Sequence, residues 1–146
     1  MSLDRAPRIL VIDDERHLQE LLRDVLETWG CLADVAPNGT EGLARFEAGA
    51  YDLVLTDFLM PGPTGLEVIE AVRRADPAVG VVMLTASLED LDPHAHRLGF
   101  TLLQKPLHVE RLREAVSAAL AGRALTPALS GAGEPMGPPP RTPRQP

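Results

Sequence analysis

Five times along this chain a short aliphatic run is followed by a segment with apolar residues at helical spacing. Arg8 to Ile12 reads Arg-Ile-Leu-Val-Ile, the kind of continuous run that forms a strand buried on both faces. Leu18, Leu21, Leu22, Val25, Leu26 and Trp29 then share one helical face, and Gly30 supplies the stop. Cys31 to Val35 is a weaker strand, and Asn38 with Glu41 three residues on marks a helix start. Tyr51 to Thr56 is a third strand. Thr64 with Glu67 opens another capped helix, carrying Leu66, Ile69 and Val72. Val81 to Leu84 and Thr101 to Gln104 complete the strands, and Leu107 to Leu120 reads as a last amphipathic helix. This alternation predicts an α/β fold: a doubly wound, five-stranded parallel sheet with helices on both faces.

Composition removes several function classes. A chain of 146 residues, 45% of them apolar, supports one domain and buries enough surface to fold without disulfides or a structural metal. The single cysteine, Cys31, forms no intramolecular disulfide. A formal charge of -7 argues against direct nucleic-acid binding. No apolar run is long enough for a membrane span and no signal peptide opens the chain, so the expected setting is the cytoplasm. Residues 1–123 are the expected folded domain and residues 124–146 a Pro/Gly-rich flexible tail. Seven prolines fall between Pro127 and Pro146, where too few large apolar side chains remain to offset the entropy of ordering.

In a sheet of this kind ligands bind beyond the carboxyl ends of the strands. Asp13-Asp14-Glu15 follows the first strand, Asp57 the third, Thr85 the fourth and Lys105-Pro106 the fifth. Carboxylates brought to about 4 Å repel by about 4 kcal/mol per pair at an effective dielectric near 20. Such a group either takes up protons or holds a cation, and oxygen ligands without His or Cys suit a hard ion such as Mg²⁺. Thr85 and Lys105 on the opposite rim then suit the oxygens of a phosphoryl group, with Asp57 as nucleophile. Taken singly, each residue has a plainer reading: first-turn acid, strand-end hydroxyl, solvated ammonium. Against the last of these, Lys105 is the only lysine among 14 basic residues, which points to a need for a compact ammonium. His17, His94, His96 and His108 read as surface residues.

Over residues 7 to 121 the chain resembles the receiver domain of two-component response regulators, of the chemotaxis-regulator type. The resemblance rests on Ile12-Asp13-Asp14-Glu15, Thr56-Asp57-Phe58-Leu59-Met60-Pro61-Gly62, Leu84-Thr85-Ala86 and Gln104-Lys105-Pro106. It implies that Asp57 is phosphorylated by a histidine kinase or phosphotransfer protein. It also implies Mg²⁺ on Asp14, Asp57 and the Leu59 backbone carbonyl, with Asp13 acting through water, and Thr85 and Lys105 on the phosphoryl oxygens. Such a domain is a phosphoacceptor and not an enzyme in the ordinary sense, beyond self-catalysed phosphotransfer and dephosphorylation. The expected partners are the phosphodonor and an unidentified output protein, with no nucleic acid and no membrane; a homodimer is left open.

Two departures bear on output. Leu102 stands where many receivers carry an aromatic residue, and Phe100 is out of register. Pro93 interrupts the fourth helix if that helix starts at Ser87; the other reading caps it at Asp92 and leaves a short helix to Leu98. Either way, a loosely held segment from Ser87 to Gly99 is expected. Two alternatives remain. A Mg²⁺-dependent phosphatase with an aspartyl nucleophile commonly needs an acid where Leu59 stands. A degenerate, phosphorylation-independent receiver fits poorly with the intact set of Asp13, Asp14, Asp57, Thr85 and Lys105.

Overall fold

Arg8–Ile12 forms β1, Leu32–Ala36 β2, Leu53–Asp57 β3, Gly80–Thr85 β4 and Thr101–Gln104 β5. Arg16–Thr28, Gly39–Arg45, Gly65–Ala75, Asp92–Leu98 and Val109–Ala119 are the intervening helices α1 to α5. This computed structural model describes residues 5–121, so the tail expected over 124–146 lies outside the described residues. The strands pair in parallel in the order β2-β1-β3-β4-β5.

Strand alternation sorts the core into two layers. Ile9 and Val11 of β1 join Leu53, Leu55, Val82 and Leu84 under α1 and α5, where Leu22, Leu26, Leu112 and Val116 close the layer. Leu10 and Ile12 point the other way, to Val54, Val81 and Met83, and are covered by Val68, Ile69 and Val72 of α3. The two faces of β1, β3 and β4 are therefore both apolar. That is why these strands read as unbroken aliphatic runs, whereas the edge strands β2 and β5 carry exposed positions.

Local signals place the helix starts. The Asn38 side chain accepts from the Glu41 amide at 2.8 Å, and Thr64 with Glu67 forms a reciprocal capping box. α4 begins at Asp92 with Leu91 at the cap position, Pro93 in its first turn and no side-chain cap. Ser87 starts no helix, and Asp92 is the first helical residue rather than the cap. The start of α4 lacks a side-chain cap, yet Leu91 just before it is only 1% exposed and packs into the second layer. Phe100 is spent as core in that layer too, and Leu102 packs against it half-buried.

Candidate functional site

The chain runs from β1 outward to β2 and then returns to the other side of β1 as β3. Helices leave in opposite directions at that reversal, opening a crevice beyond the ends of β1 and β3. Asp13 and Asp14 follow β1 directly, and Asp57 is the last residue of β3. Each offers a carboxylate oxygen within 4.8 Å of the others, and among the described residues no histidine or cysteine joins the group.

Asp13 is pinned on three sides. Its amide donates to the Ala36 carbonyl at 3.1 Å, and its carbonyl accepts from the Gln19 side-chain amide at 2.6 Å. Its Oδ1 accepts from the Glu15 amide at 2.8 Å. Oδ2 is buried without a hydrogen-bond partner. Burial pushes the Asp13 carboxyl up to about 6; the Glu15 amide and Lys105 oppose this, and Asp57 and Asp14 add to it. Asp57 is also raised, chiefly by burial, with Lys105 as the main opposing group. The Lys105 Nζ lies 3.1 Å from Asp57 Oδ1. Asp14 is exposed on the solvent side of the pair.

The far rim is built from β4 and β5. Thr85 ends β4 almost fully buried, and the Lys105 amide donates to its carbonyl at 2.8 Å, tying the two rim residues together. The Thr85 hydroxyl oxygen accepts from the Ser87 amide at 2.9 Å. Leu59 lies in the turn after β3 with its side chain 60% exposed, turned away from the core. The other end of that turn returns to the residue just after β3, where the Gly65 amide donates to the Phe58 carbonyl at 2.7 Å. A Cβ at Gly65 would overlap the Asp57 carbonyl oxygen, so only glycine lets α3 start this close to the site.

Asp13, Asp14, Asp57, Thr85 and Lys105 thus converge at the strand ends, as the sequence reading expected. Gln19, Gly65 and the Ser87 amide were missed. Gln19 and Ser87 carry no sequence signal, since an amide or hydroxyl residue in a polar stretch is unremarkable; the Thr64-Gly65 step at a helix start was the one available clue. His17, His96 and His108 are exposed, and His94 contacts Arg97 on α4, so none reaches the crevice.

The donor set fits a hard divalent cation. Three clustered carboxylates, one with an orphaned buried oxygen, are an arrangement that a cation satisfies and that few uncharged groups could. With a cation held by these carboxylates and with Lys105 opposite, a small anionic group would lie between positive charge on both sides. Among the described residues no helix is long and apolar enough to cross a membrane.

The family described as response regulator receiver domain matches residues 9–117. The uncharacterized transcriptional regulatory protein YkoG of Bacillus subtilis is 37% identical over 118 residues, covering 77% of this chain and 50% of the relative. The DNA-binding response regulator MtrA of Mycolicibacterium paratuberculosis is 42% identical over 85 residues, covering 58% of this chain and 37% of the relative. The response regulator protein TrrA of Thermotoga maritima, solved in complex with Mg(2+)-BeF, superposes with a TM-score of 0.72 at 36% identity. That match covers 78% of this chain and 99% of TrrA. The chain therefore spans about half, or less, of the curated relatives it matches.

These relatives overturn the expectation of partners without nucleic acid. That expectation rested on the net acidic charge of this sequence, which lacks the basic balance of a nucleic-acid-binding face. The balance belongs to a segment built around an acidic crevice, and relatives sharing that segment are named as transcriptional and DNA-binding regulators.

Proposed function

Because this chain belongs to the response regulator receiver domain family, we propose that it accepts a phosphoryl group on Asp57 from a histidine kinase or phosphotransfer protein and changes partner binding as a result. The observation that carries this reading is the placement of Asp57 between the Asp13–Asp14 carboxylates and the Lys105 ammonium. A carboxylate there attacks phosphorus while the donor's phosphorus–nitrogen bond breaks. The product is an acyl phosphate on Asp57 and a free imidazole on the donor.

Asp14, Asp57 and the Leu59 carbonyl would hold Mg²⁺, with Asp13 acting through water; the ion would supply charge neutralisation for the phosphoryl oxygens. Lys105 supplies the opposite pole and can shift from Asp57 toward an incoming phosphoryl oxygen. The Thr85 hydroxyl would turn toward the same group at the loss of its bond from the Ser87 amide. Dephosphorylation uses the same groups, so the domain catalyses its own gain and loss of phosphate. The names of the relatives support an output at DNA.

The phosphatase alternative is the weaker reading, since the exposed aliphatic Leu59 has no proton to give a leaving group. The test is incubation with Mg²⁺ and a small-molecule phosphodonor. One phosphoryl group per chain is expected by intact-mass measurement, cleaved by hydroxylamine and by alkali as an acyl phosphate is, and absent from Asp57→Asn. Undiminished labelling of Asp57→Asn would refute the assignment.

A further inference from the structure

The guanidinium of Arg73, on the last turn of α3, is committed to main-chain carbonyls of two other segments. Its Nε donates to the Leu98 carbonyl at 2.7 Å and Nη2 to the Gly99 carbonyl at 2.8 Å. Its Nη1 donates to the carbonyls of Pro77 and Val79 in the connection from α3 to β4. Leu98 and Gly99 are the end of α4, where carbonyls are otherwise left without intrahelical donors. Gly99 adopts a φ of +72°, and both its amide and that of Phe100 return to the Ala95 carbonyl. Arg97 adds a second tie from α4 to α3 through Glu70 at 3.2 Å.

The other end of α4 is held differently, by Leu91 buried in the core. Between Thr85 and Leu91, residues Ala86, Leu88, Glu89 and Asp90 are exposed, and Leu88 is fully so. This stretch is held by short local bonds: the Ser87 amide to the Thr85 hydroxyl, then the Glu89 amide to the Ser87 hydroxyl at 3.0 Å. Shifting α4 as a body would strip a half-buried guanidinium of two acceptors at once, whereas moving the loop releases one neutral bond at Thr85.

We infer that Arg73 is a positioning residue that keeps α4 and the start of β5 stationary, so that the response to phosphorylation is confined to the Ala86–Asp90 loop and its displayed Leu88. This rests on the phosphoacceptor reading of Asp57.

Hydrogen exchange on the full chain tests it, comparing wild type, Arg73→Met and Arg73→Lys, each free and with Mg²⁺ and beryllofluoride. In the free proteins, Arg73→Met should speed exchange at Gly99 and Phe100 by about tenfold or more, with Arg73→Lys intermediate and Ala86–Asp90 unchanged. With the phosphoryl mimic, wild type should change at Ala86–Asp90 but not at Asp92–Leu102, and in Arg73→Met the change should spread into Asp92–Leu102. A wild-type response already extending over α4, or the same response map in Arg73→Met as in wild type, would overturn the inference. The second outcome is also what a merely structural role predicts, with lower thermal stability alone. Unaltered exchange at Gly99 and Phe100 in free Arg73→Met overturns the clamp itself. If wild type shows no response to the mimic even at Lys105, the phosphoacceptor reading fails and with it the confinement, while the free-protein comparison still decides the clamp.

Discussion

The Lys105 ammonium meets Asp57 Oδ1 at 3.1 Å across the full width of β4, because Asp57 ends β3 and Lys105 follows β5. Neighbouring strands are about 4.8 Å apart, so the contact bridges roughly two strand spacings over the end of β4 that carries Thr85. Only a long, flexible cation makes that reach, and it sets the charge balance of the site.

Removing this cation leaves a buried carboxylate beside two others. The Lys105→Met variant should raise the Asp57 carboxyl further above its ordinary value. A carboxyl whose folded-state pKa is raised favours the fold at low pH and loses that contribution as pH rises through the folded value. Lys105→Met should therefore be less stable than wild type by about 2 kcal/mol at pH 8, with the gap closing toward pH 4. Urea unfolding at the two pH values measures it. An equal gap at both would show that Lys105 acts through packing.

Asp13 gives the converse expectation. Its carboxyl titrates at about 6 in the folded protein, above the unfolded value of about 3.9, so ionisation destabilises the fold as pH rises through that window. Asp13→Asn keeps an oxygen for the Glu15 amide and drops the charge. It should be more stable than wild type by about 2 kcal/mol at pH 8 and nearly equal at pH 4. Added Mg²⁺ should narrow the gap at pH 8 by stabilising wild type more. Thermal melts with and without Mg²⁺ check both statements, and a variant that melts below wild type at pH 8 contradicts them.

The two adjacent acids should separate in metal affinity. Asp14→Ala should weaken Mg²⁺ binding more than Asp13→Ala, for which a loss of about tenfold fits a group acting through water. Calorimetric titration of both variants distinguishes them. Equal Mg²⁺ affinity in Asp14→Ala and wild type would remove Asp14 from the site.

Gly65→Ala tests how tightly α3 is seated against the acceptor strand. The added methyl overlaps the Asp57 carbonyl oxygen, backbone that has no rotamer to yield with. A stability loss of about 1–3 kcal/mol is expected, with slower phosphorylation even where the variant is fully folded. Chemical denaturation and phosphodonor labelling in parallel provide the check, and a variant matching wild type in both would mean the turn relaxes freely.

The order of local signals along the chain determined the architecture and most of the crevice. The aliphatic runs Ile9 to Ile12 and Leu53 to Leu55 could be buried only in strands covered on both faces, and helices between them required parallel pairing. Polar residues placed just after such runs had to gather at one end of the sheet. Asp13, Asp14, Asp57, Thr85 and Lys105 were legible for that reason, and the caps at Asn38 and Thr64 because a cap acts over three residues.

Packing between distant segments decided the rest. Leu91 anchors α4 by packing into the core layer that holds Val68, Ile69 and Val72 of α3, which no pattern within Ser87–Leu98 encodes. Arg73 looks like one more solvated arginine until α3 is laid beside the ends of α4 and the β4 connection. The raised carboxyl of Asp13 depends on how completely the folded chain excludes water from it. Charge type is a local property of the chain, but desolvation and hydrogen-bond geometry arise only when separate elements close around the same atoms.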